Sequence, residues 1–488
     1  MISRRLLYYS IIDLFLVLLV VAIRAIHPGT PAQAMAFMFL MVWLAALAGA
    51  HLLPRRRPLA QFVAGMTAVG ALMMALGAGI YWLYRLTFLE AFGIVLATTA
   101  IITIVCRNTP LPAWRSHSRR LAMQLVAHKW FLLLPTIAAG IAVALLAHLR
   151  LNGVMDAIRT PWLFIDEPLF FGGIGAAGVL LWFAAWKQTP TLRPLHLMLF
   201  MLVFTGVGLL IFQTGYGFDP FVHRATEMHI LQNGVITPKP LWYVGQHALV
   251  VMVTHFTGLS LMAIDKLLLP AGAAFLVVGW LYVIAPESWA RRALLLLLLP
   301  FITWFTATTP QGIGNLLYLI LMLELLMVAR KKLGWALPAL TIAAIATLHP
   351  MATVPALILT VFTILVIRGA RLRIAAPAAL VTALLMPALF FVNEWQKTHA
   401  IPSLGELAAR AASRFAVDID ALPLQNSFYA LPNFTYTLRI MIWIFALGCI
   451  VYGIAALRNR AFMRPYLWTA GILAVSTALA HFLTALPD

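Results

Sequence analysis

Long apolar runs are the feature of this sequence that most constrains its fold. The first extends from about residue 6 to residue 26, and about fifteen such runs are long enough to cross a bilayer at roughly 20 residues per helix. Of all residues, 63% are hydrophobic and 10% are charged, whereas a soluble domain averages about 25% charged residues. The sequence therefore predicts an all-α polytopic membrane protein with about 15 transmembrane helices. It excludes a soluble enzyme, a secreted module and a disordered chain.

The predicted spans fall into two groups along the chain. The first group comprises 6–26, 32–53, 61–84, 88–106, 130–149 and 168–186. The second comprises 195–212, 267–285, 293–308, 313–329, 335–349, 351–367, 374–392, 438–457 and 465–485. Two prolines in the segment KQTPTLRP separate the groups. We predict a six-helix N-terminal membrane region over 1–190, a core over 191–392 and a C-terminal part over 393–488.

Lysine and arginine are concentrated in every second loop between these runs. Examples are Arg55 to Arg57 and Arg330 to Lys332, and the alternate loops hold few basic residues. Cytoplasmic loops carry such an excess of basic residues, so we expect a multi-pass protein of the plasma (inner) membrane with a cytoplasmic N-terminus. The apolar run that follows Arg5 is too long for a cleaved signal peptide and is predicted to be a retained anchor.

The formal net charge of +19 would suggest nucleic acid as the partner of a soluble protein. In this chain the basic residues lie in short loops, and no basic stripe with interleaved aromatic residues occurs. Basic residues beside transmembrane helices attract anionic lipid head groups. We therefore expect the basic residues to interact with membrane lipids and not with nucleic acid.

Two stretches on the predicted outer face, 213–246 and 393–437, are too long to be turns. The first contains clear signals for a helix that begins at Asp219 and ends near Asn233. Asp219 is a good N-cap, Pro220 fits the first helical position, and Asn233-Gly234 is typical of a helix end.

Apolar residues recur at helical spacing within this predicted helix. Phe221, Ala225, Met228 and Leu231 share one side, and the polar residues fall on another. The pattern predicts an amphipathic helix that lies on the outer membrane surface.

The same loop resembles a family at its most distinctive residues. The segment FDPFVHRAT, which starts at Phe218, is similar to the FDP-(x)-F-x-x-RAT motif of the catalytic subunit of oligosaccharyltransferase, with one residue fewer. It is followed by ITPKPLWY and a half-hydrophobic segment, as in the first outer loop of the GT-C membrane glycosyltransferases. The resemblance covers roughly 195–437 and implies a GT-C-like seven-helix core with two long outer loops.

The resemblance also implies a reaction. GT-C enzymes transfer a sugar from a polyprenyl-phosphate lipid on the outer (periplasmic or extracellular) face, and the acceptor of this chain stays unknown. Such a transfer needs a base for the acceptor and cations for the departing phosphate. By analogy Asp219 is the catalytic base. Glu227 is a second candidate catalytic residue, in a phosphate-binding or proton-relay group with His223, Arg224 and His229. The alternative for Asp219 is a helix cap and no more.

Phosphate-binding candidates are the basic and histidine residues near the two outer loops. They are His223, Arg224, Lys239, His349, Arg410 and Arg414. A local ion pair between Arg224 and Glu227, three residues apart, is the plainer interpretation of that pair. Lys239 has an equally plain interpretation as a solvated lysine at the membrane interface.

The triplet Asp418-Ile419-Asp420 in the second outer loop suits a divalent cation, Mg²⁺ or Mn²⁺, held with a pyrophosphate. Two acidic residues, Asp13 and Glu324, lie inside apolar runs and are expected to support helix packing.

The sequence departs from the family in what surrounds the loop, because six predicted spans precede it and no soluble acceptor-binding domain is visible. Two alternatives therefore stay open: a transporter or flippase of a polar lipid, and a GT-C-like scaffold without catalysis.

Overall fold

A computed structural model describes seven stretches of the chain and the single residues 377 and 381. The stretches are 4–54, 56–110, 129–155, 161–186, 193–217, 219–284 and 305–369. Within them the chain is helical, and the extended pairing is limited to an isolated parallel bridge between Val154 and Phe212. The predicted all-α class is confirmed for this part of the chain.

The helices follow one another with short connections. They are α1 (Arg4–Ile26), α2 (Pro31–Leu52), α3 (Pro58–Leu83), α4 (Phe88–Val105), α5 (Lys129–Leu151), α6 (Glu167–Trp186), α7 (Arg193–Thr205), α8 (Val207–Ile211), α9 (Asp219–Asn233), α10 (Val244–Thr257), α11 (Leu261–Ile284), α12 (Pro310–Ala329), α13 (Ala336–Ala346) and α14 (Pro350–Ile367). A 3₁₀ turn, Pro161–Phe164, precedes α6.

Seven of these described helices are long and apolar enough to cross a membrane. They are α1, α2, α3, α4, α5 from Leu133, α11 and α12. The protein is therefore a multi-pass helical membrane protein. The predicted spans 374–392, 438–457 and 465–485, and most of 293–308, lie outside the described residues. The total of about fifteen spans thus stays a prediction.

Two predicted spans differ from the helices that form. The span predicted over 195–212 is broken at Gly206 into α7 and α8. The span predicted to begin at 267 begins at Leu261, so it includes Asp265 and Lys266. The helix includes these two charged residues because both side chains have partners, which are described below.

Close contact between α2 and α3 fixes the packing of the N-terminal helices. A Cβ atom on Gly49 would lie 1.8 Å from the carbonyl oxygen of Gln61, and one on Gly65 would lie 1.8 Å from that of Ala45. Small residues let transmembrane helices approach closely in this way. A larger side chain at either glycine would force the two helices apart.

The acidic residues inside the spans contact polar partners on neighbouring helices. The Trp43 indole donates a hydrogen bond of 2.7 Å to one Asp13 oxygen, and the Thr103 hydroxyl donates to the other. Thr341 of α13 donates to Glu324 of α12 at 3.1 Å. These contacts join helices, as a packing role requires.

Helix α10 positions the site described below. It has 14 residues, or about 21 Å at 1.5 Å per residue, which is shorter than the roughly 30 Å hydrocarbon core. It nevertheless packs against α2, α3, α4, α9 and α11. Its first turn, including Gln246 and His247, is therefore buried among helices.

The chain divides after Pro350 into two compact units, Met1–Pro350 and Met351–Asp488. Helices α1 to α13 belong to the first unit, which also contains the described site residues from Asp219 to His349. The predicted divisions after residues 190 and 392 stay predictions.

Candidate functional site

Helix α9 forms where the local signals predict it. Asp219 and Pro220 occupy its first two positions. Its end is fixed by Gly234, whose φ of +78° is a left-handed conformation that glycine adopts readily. The amide of Gly234 donates to the carbonyl of Ile230 at 2.7 Å.

The face that α9 buries is not the one expected from its apolar residues. Pro220, His223, Glu227 and Ile230 are buried, whereas Met228 is 39% exposed. The apolar side, predicted to lie on the membrane surface, thus keeps Met228 exposed, while the polar side contributes His223 and Glu227 to the protein interior. The polar side turns inward because α10 provides hydrogen-bonding partners for it, which a lipid surface cannot do.

Glu227 is the deepest residue of the site, with 0% exposure. Its Oε1 accepts a hydrogen bond from Gln246 Nε2 at 2.8 Å and lies 3.3 Å from His247 Nδ1. Its Oε2 has no partner among the described residues. Burial raises the pKa of Glu227 to about 8, although the Gln246 hydrogen bond and the charge of Arg224 oppose the rise. Its predicted catalytic role stays a prediction, and in this structure the carboxyl group lies below the surface.

Two histidines lie between Glu227 and the surface. His223 Nε2 is 3.5 Å from Asp219 Oδ2, and the rings of His223 and His247 are 5.6 Å apart at 38°. Burial lowers the pKa of His247 to about 4. Burial and the nearby His247 lower the pKa of His223, while Asp219 opposes this. Both imidazoles are therefore neutral near pH 7.

Asp219 is the exposed end of this group. Its side chain is 69% accessible, against 10% for His223. A carboxylate in this position can meet a substrate at the surface and can also receive a proton from, or give one to, His223. The predicted role as a helix cap and the predicted role as a base are both compatible with this place.

His349 joins the same group through Tyr243. The rings of Tyr243 and His349 are 5.4 Å apart, and Tyr243 and His223 are 5.3 Å apart. Burial lowers the pKa of His349, and the charge of Asp219 opposes this. The structure thus brings His349 to the start of α9 from a position far along the chain.

The start of α10 is fixed beside His349 by backbone contacts. The amides of Tyr243 and Gly245 donate to the carbonyls of Leu348 and Thr347 at 2.9 and 3.1 Å. A Cβ atom on Gly245 would lie 2.1 Å from the Thr347 hydroxyl oxygen, so glycine is required there.

Arg224 pairs with an acidic residue that the sequence interpretation missed. Its Nε lies 2.9 Å from Asp265 Oδ2, and its Nη1 donates to the Thr214 carbonyl at 2.5 Å. The Asp265 side chain is 1% exposed. The local ion pair expected between Arg224 and Glu227 is therefore wrong in this structure.

Lys266, next to Asp265 on α11, is the second cation of this region. Its ammonium group donates to the carbonyls of Phe212 and Gln213 at 2.9 and 2.8 Å. Arg224 and Lys266 thus both bind the segment that leads into α9.

A small pocket is lined by both cations, by Asp265 and by the start of α9. Gly215, Pro220, Arg224, Lys266 and Thr308 are among its lining residues. Its volume of about 10 Å³ is room for about one water molecule. The pocket would have to widen before a phosphate could enter.

Lys239 has a structural position away from this pocket. Its ammonium group donates to the carbonyls of Tyr81 and Trp82 at 2.9 and 3.2 Å, and also to that of Tyr84. These are carbonyls at the C-terminal end of α3, whose intrahelical partners are missing. Lys239 thus caps α3.

The remaining predicted residues, Arg410, Arg414, Asp418 and Asp420, lie outside the described residues. Within the described ranges, no group of three or more histidine, cysteine, aspartate or glutamate side chains is arranged to hold a metal.

Three important residues were not found from the sequence: Gln246, His247 and Asp265. Asp265 was visible as a charge at the edge of an apolar run. The pair Gln246-His247 was visible as polar residues at the start of a half-hydrophobic segment, where a buried helix needs partners for each of them.

No family model, curated protein or solved structure matches this chain.

Proposed function

We propose that the protein is a membrane glycosyltransferase that uses a polyprenyl-phosphate-linked sugar and transfers it on the outer face. One observation carries the proposal: an exposed carboxylate, Asp219, begins the helix whose first turns also line a pocket with Arg224 and Lys266. Acceptor activation and phosphate departure need these two kinds of charge close together.

In the proposed reaction Asp219 takes a proton from an acceptor hydroxyl or amide. The freed oxygen or nitrogen attacks the anomeric carbon of the sugar from the side opposite the phosphate, so the configuration inverts. The bond from that carbon to the phosphate oxygen breaks, and its electrons leave with the phosphate. Arg224 and Lys266 then stabilise the departing anion.

The orientation of the site supports an outer-face reaction. The basic loops of the chain predict a cytoplasmic N-terminus, which places the segment 213–246 outside. A lipid donor held in the outer leaflet could then reach Asp219 from the side. A divalent cation at Asp418 and Asp420 belongs to the same proposal, as do phosphate contacts from Arg410 and Arg414.

The test is binding and turnover of a polyprenyl-phosphate sugar in nanodiscs. Asp219→Asn should keep donor binding and lose transfer, whereas Arg224→Ala should weaken binding. Asp166→Asn is the matched control for the acid, because Asp166 also lies at a helix start, where it accepts the Leu169 amide at 2.9 Å. Arg85→Ala is the control for the cation, since the Arg85 side chain is 52% exposed. Normal turnover in Asp219→Asn would contradict the assignment of the base.

A second candidate is a transporter or flippase of a polar lipid. It is favoured by buried acidic residues within spans, namely Asp265 in α11 and Glu324 in α12, since such residues often mark transport paths. Movement of a fluorescent polyprenyl phosphate across proteoliposomes, without any transfer product, would support this candidate. Donor binding with neither movement nor transfer would indicate a non-catalytic scaffold.

A further inference from the structure

A row of ionisable side chains on α9 and α10 connects the surface with a fully buried carboxyl group. Asp219, with its side chain 69% exposed, forms the outer end. Glu227, at 0%, forms the inner end, and the side chains of His223 and His247 lie between them at 10% and 2%. Exposure thus decreases at each step along the row.

The distances along the row suit proton transfer. The outer step, from Asp219 to His223, is 3.5 Å and the inner step, from His247 Nδ1 to Glu227 Oε1, is 3.3 Å. The middle step joins two imidazole rings whose centroids are 5.6 Å apart. At this separation a proton passes between the two rings through a small ring rotation or one bridging water.

The inner end of the row is suited to hold a proton. Only one Glu227 oxygen has partners among the described residues, and the other is buried without a donor. An ionised carboxylate at this position would lack solvation, and a neutral carboxylic acid needs less solvation than a charged one. Burial raises the pKa of this carboxyl to about 8, so it is protonated near neutral pH.

The two histidines have the form that a relay needs. Burial lowers the pKa of both, so each is a neutral imidazole near pH 7. A neutral imidazole carries a proton on one nitrogen and accepts one on the other. It can therefore take a proton on one side and release one on the other.

We propose that Glu227 is a proton-binding site that exchanges its proton with the outer surface through His247, His223 and Asp219. On release, the Glu227 O–H bond breaks as His247 Nδ1 takes the proton. His247 passes the proton of its other nitrogen to His223, which passes one from Nε2 to the Asp219 carboxylate and then to water. Each step breaks one O–H or N–H bond and forms another, so no further reactant is needed.

The row is surrounded by other ionisable groups that influence it. They are Arg224 on α9, Asp265 and Lys266 on α11, Tyr243 before α10, and His349 after α13. Arg224 matters most to Glu227, because its charge favours the ionised carboxyl. When Glu227 loses its proton, it competes with Asp265 for this guanidinium. The proton on Glu227 therefore helps to preserve the pair between Arg224 and Asp265.

The proton site does not depend on sugar transfer, because it can be filled and emptied with no donor or acceptor bound. It is measured by infrared difference spectroscopy of the full chain in nanodiscs without either substrate. The carbonyl stretch of a protonated buried carboxyl should disappear as the pH rises through about 8. This band should be absent in Glu227→Gln.

Glu324→Gln is the matched control for this band. Glu324 is also 0% exposed and also has an oxygen without a partner in the described residues, but its hydrogen bond comes from Thr341. The variant should keep the band that titrates near pH 8. If Glu227→Gln does not fold, labelling with ¹³C-carboxyl glutamate in the Glu324→Gln background shows whether the titrating band comes from a glutamate. A slower return of that band in His223→Asn then assigns it to the glutamate at the end of the row.

The route is tested by the rate at which the band returns after a pH jump. His247→Asn and His223→Asn should slow this rate on the order of a hundredfold, a typical contribution of one acid–base group. His255→Asn is the matched control, since His255 is also on α10 but contacts Phe88, away from the row. If His247→Asn does not fold, His223→Asn decides alone because its side chain is less buried.

Two results would overturn the proposal: a ¹³C-shifted glutamate band that titrates near pH 8 and persists in Glu227→Gln, or exchange at the wild-type rate in His223→Asn. Sugar transfer is assayed separately. The wild type could show no sugar transfer while its band titrates and exchanges slowly in the histidine variants. This result would support the proton site and contradict the proposed transferase function. Sugar transfer by a wild type that lacks the band would support the transferase function and contradict the proton site.

Discussion

Arg224 on α9 forms an ion pair with Asp265 on α11, and the distance between Arg224 Nε and Asp265 Oδ2 is 2.9 Å. Glu227, one turn further along α9, turns instead towards Gln246 and His247. Two acidic side chains near one guanidinium are thus bound in different ways. The pair with Asp265 fixes α9 on a transmembrane helix, and this fixes the position of Asp219 at the start of α9.

Removal of Asp265 should destabilise the protein strongly. In Asp265→Ala the Arg224 side chain, 12% exposed, keeps its charge and its hydrogen bond to Thr214 but loses its ion-pair partner. Such a loss costs about 3 kcal/mol or more. The free energy of unfolding in detergent measures this. The double variant Arg224→Met with Asp265→Leu should recover much of the loss, because it leaves no unpaired charge. Equal losses in the single and double variants would contradict the account.

The stability of the protein should depend on pH through Glu227. Its pKa is about 8 in the folded chain, against an ordinary value of 4.5. Between these values the unfolded chain has released a proton that the folded chain holds. The contribution of Glu227 is therefore complete below about pH 4.5 and is lost as the pH rises to about 8.

His247 acts in the opposite direction, because its pKa of about 4 lies below its ordinary 6.5. Its contribution is complete above pH 6.5 and is lost as the pH falls towards 4. Above pH 6.5 the Glu227 effect should thus dominate this pair. Chemical unfolding between pH 6.5 and 8 should show a wild-type stability that falls, relative to Glu227→Gln, by about 1 kcal/mol per pH unit. A constant difference across this range would count against a neutral Glu227.

The limits of α9 were predictable from the sequence, but its buried face was not. Asp219, Pro220 and Gly234 act on the backbone next to them, so local signals were sufficient. Which face turns inward depends on Gln246 and His247, which belong to another helix. An apolar side chain can face either a protein core or lipid, whereas a buried carboxyl needs specific partners.

The start of α11 also depends on contacts with other segments of the chain. Its predicted start at 267 lies after Asp265 and Lys266, two charges that would be costly in a membrane without partners. The partners that lower this cost, Arg224 and the carbonyls of Phe212 and Gln213, come from segments earlier in the chain. Tertiary contacts of this kind cannot be read from the composition of one run.

Lys239 should contribute to stability and not to donor binding. Lys239→Met keeps most of the aliphatic chain but removes the donors to the Tyr81 and Trp82 carbonyls. A cation at a helix C-terminus typically contributes about 0.3–1 kcal/mol, so a loss of that size is expected in unfolding experiments. Donor binding by Lys239→Met in nanodiscs should equal that of the wild type. Weaker binding with unchanged stability would instead return Lys239 to the phosphate site predicted from the sequence.

Gly245 should be intolerant of a side chain, and the cause should be a single neighbour. In Gly245→Ala the new methyl group would meet the Thr347 hydroxyl, which lies 2.1 Å from the ideal Cβ position, and overpacking of this kind costs about 1–3 kcal/mol. The clash would move the start of α10, and with it His247, away from α9. Thr347→Ala removes the hydroxyl, so the double variant should be more stable than Gly245→Ala alone. A double-mutant cycle of unfolding free energies measures this coupling. Additive losses would show that the contact with Thr347 does not explain the need for glycine at the start of α10.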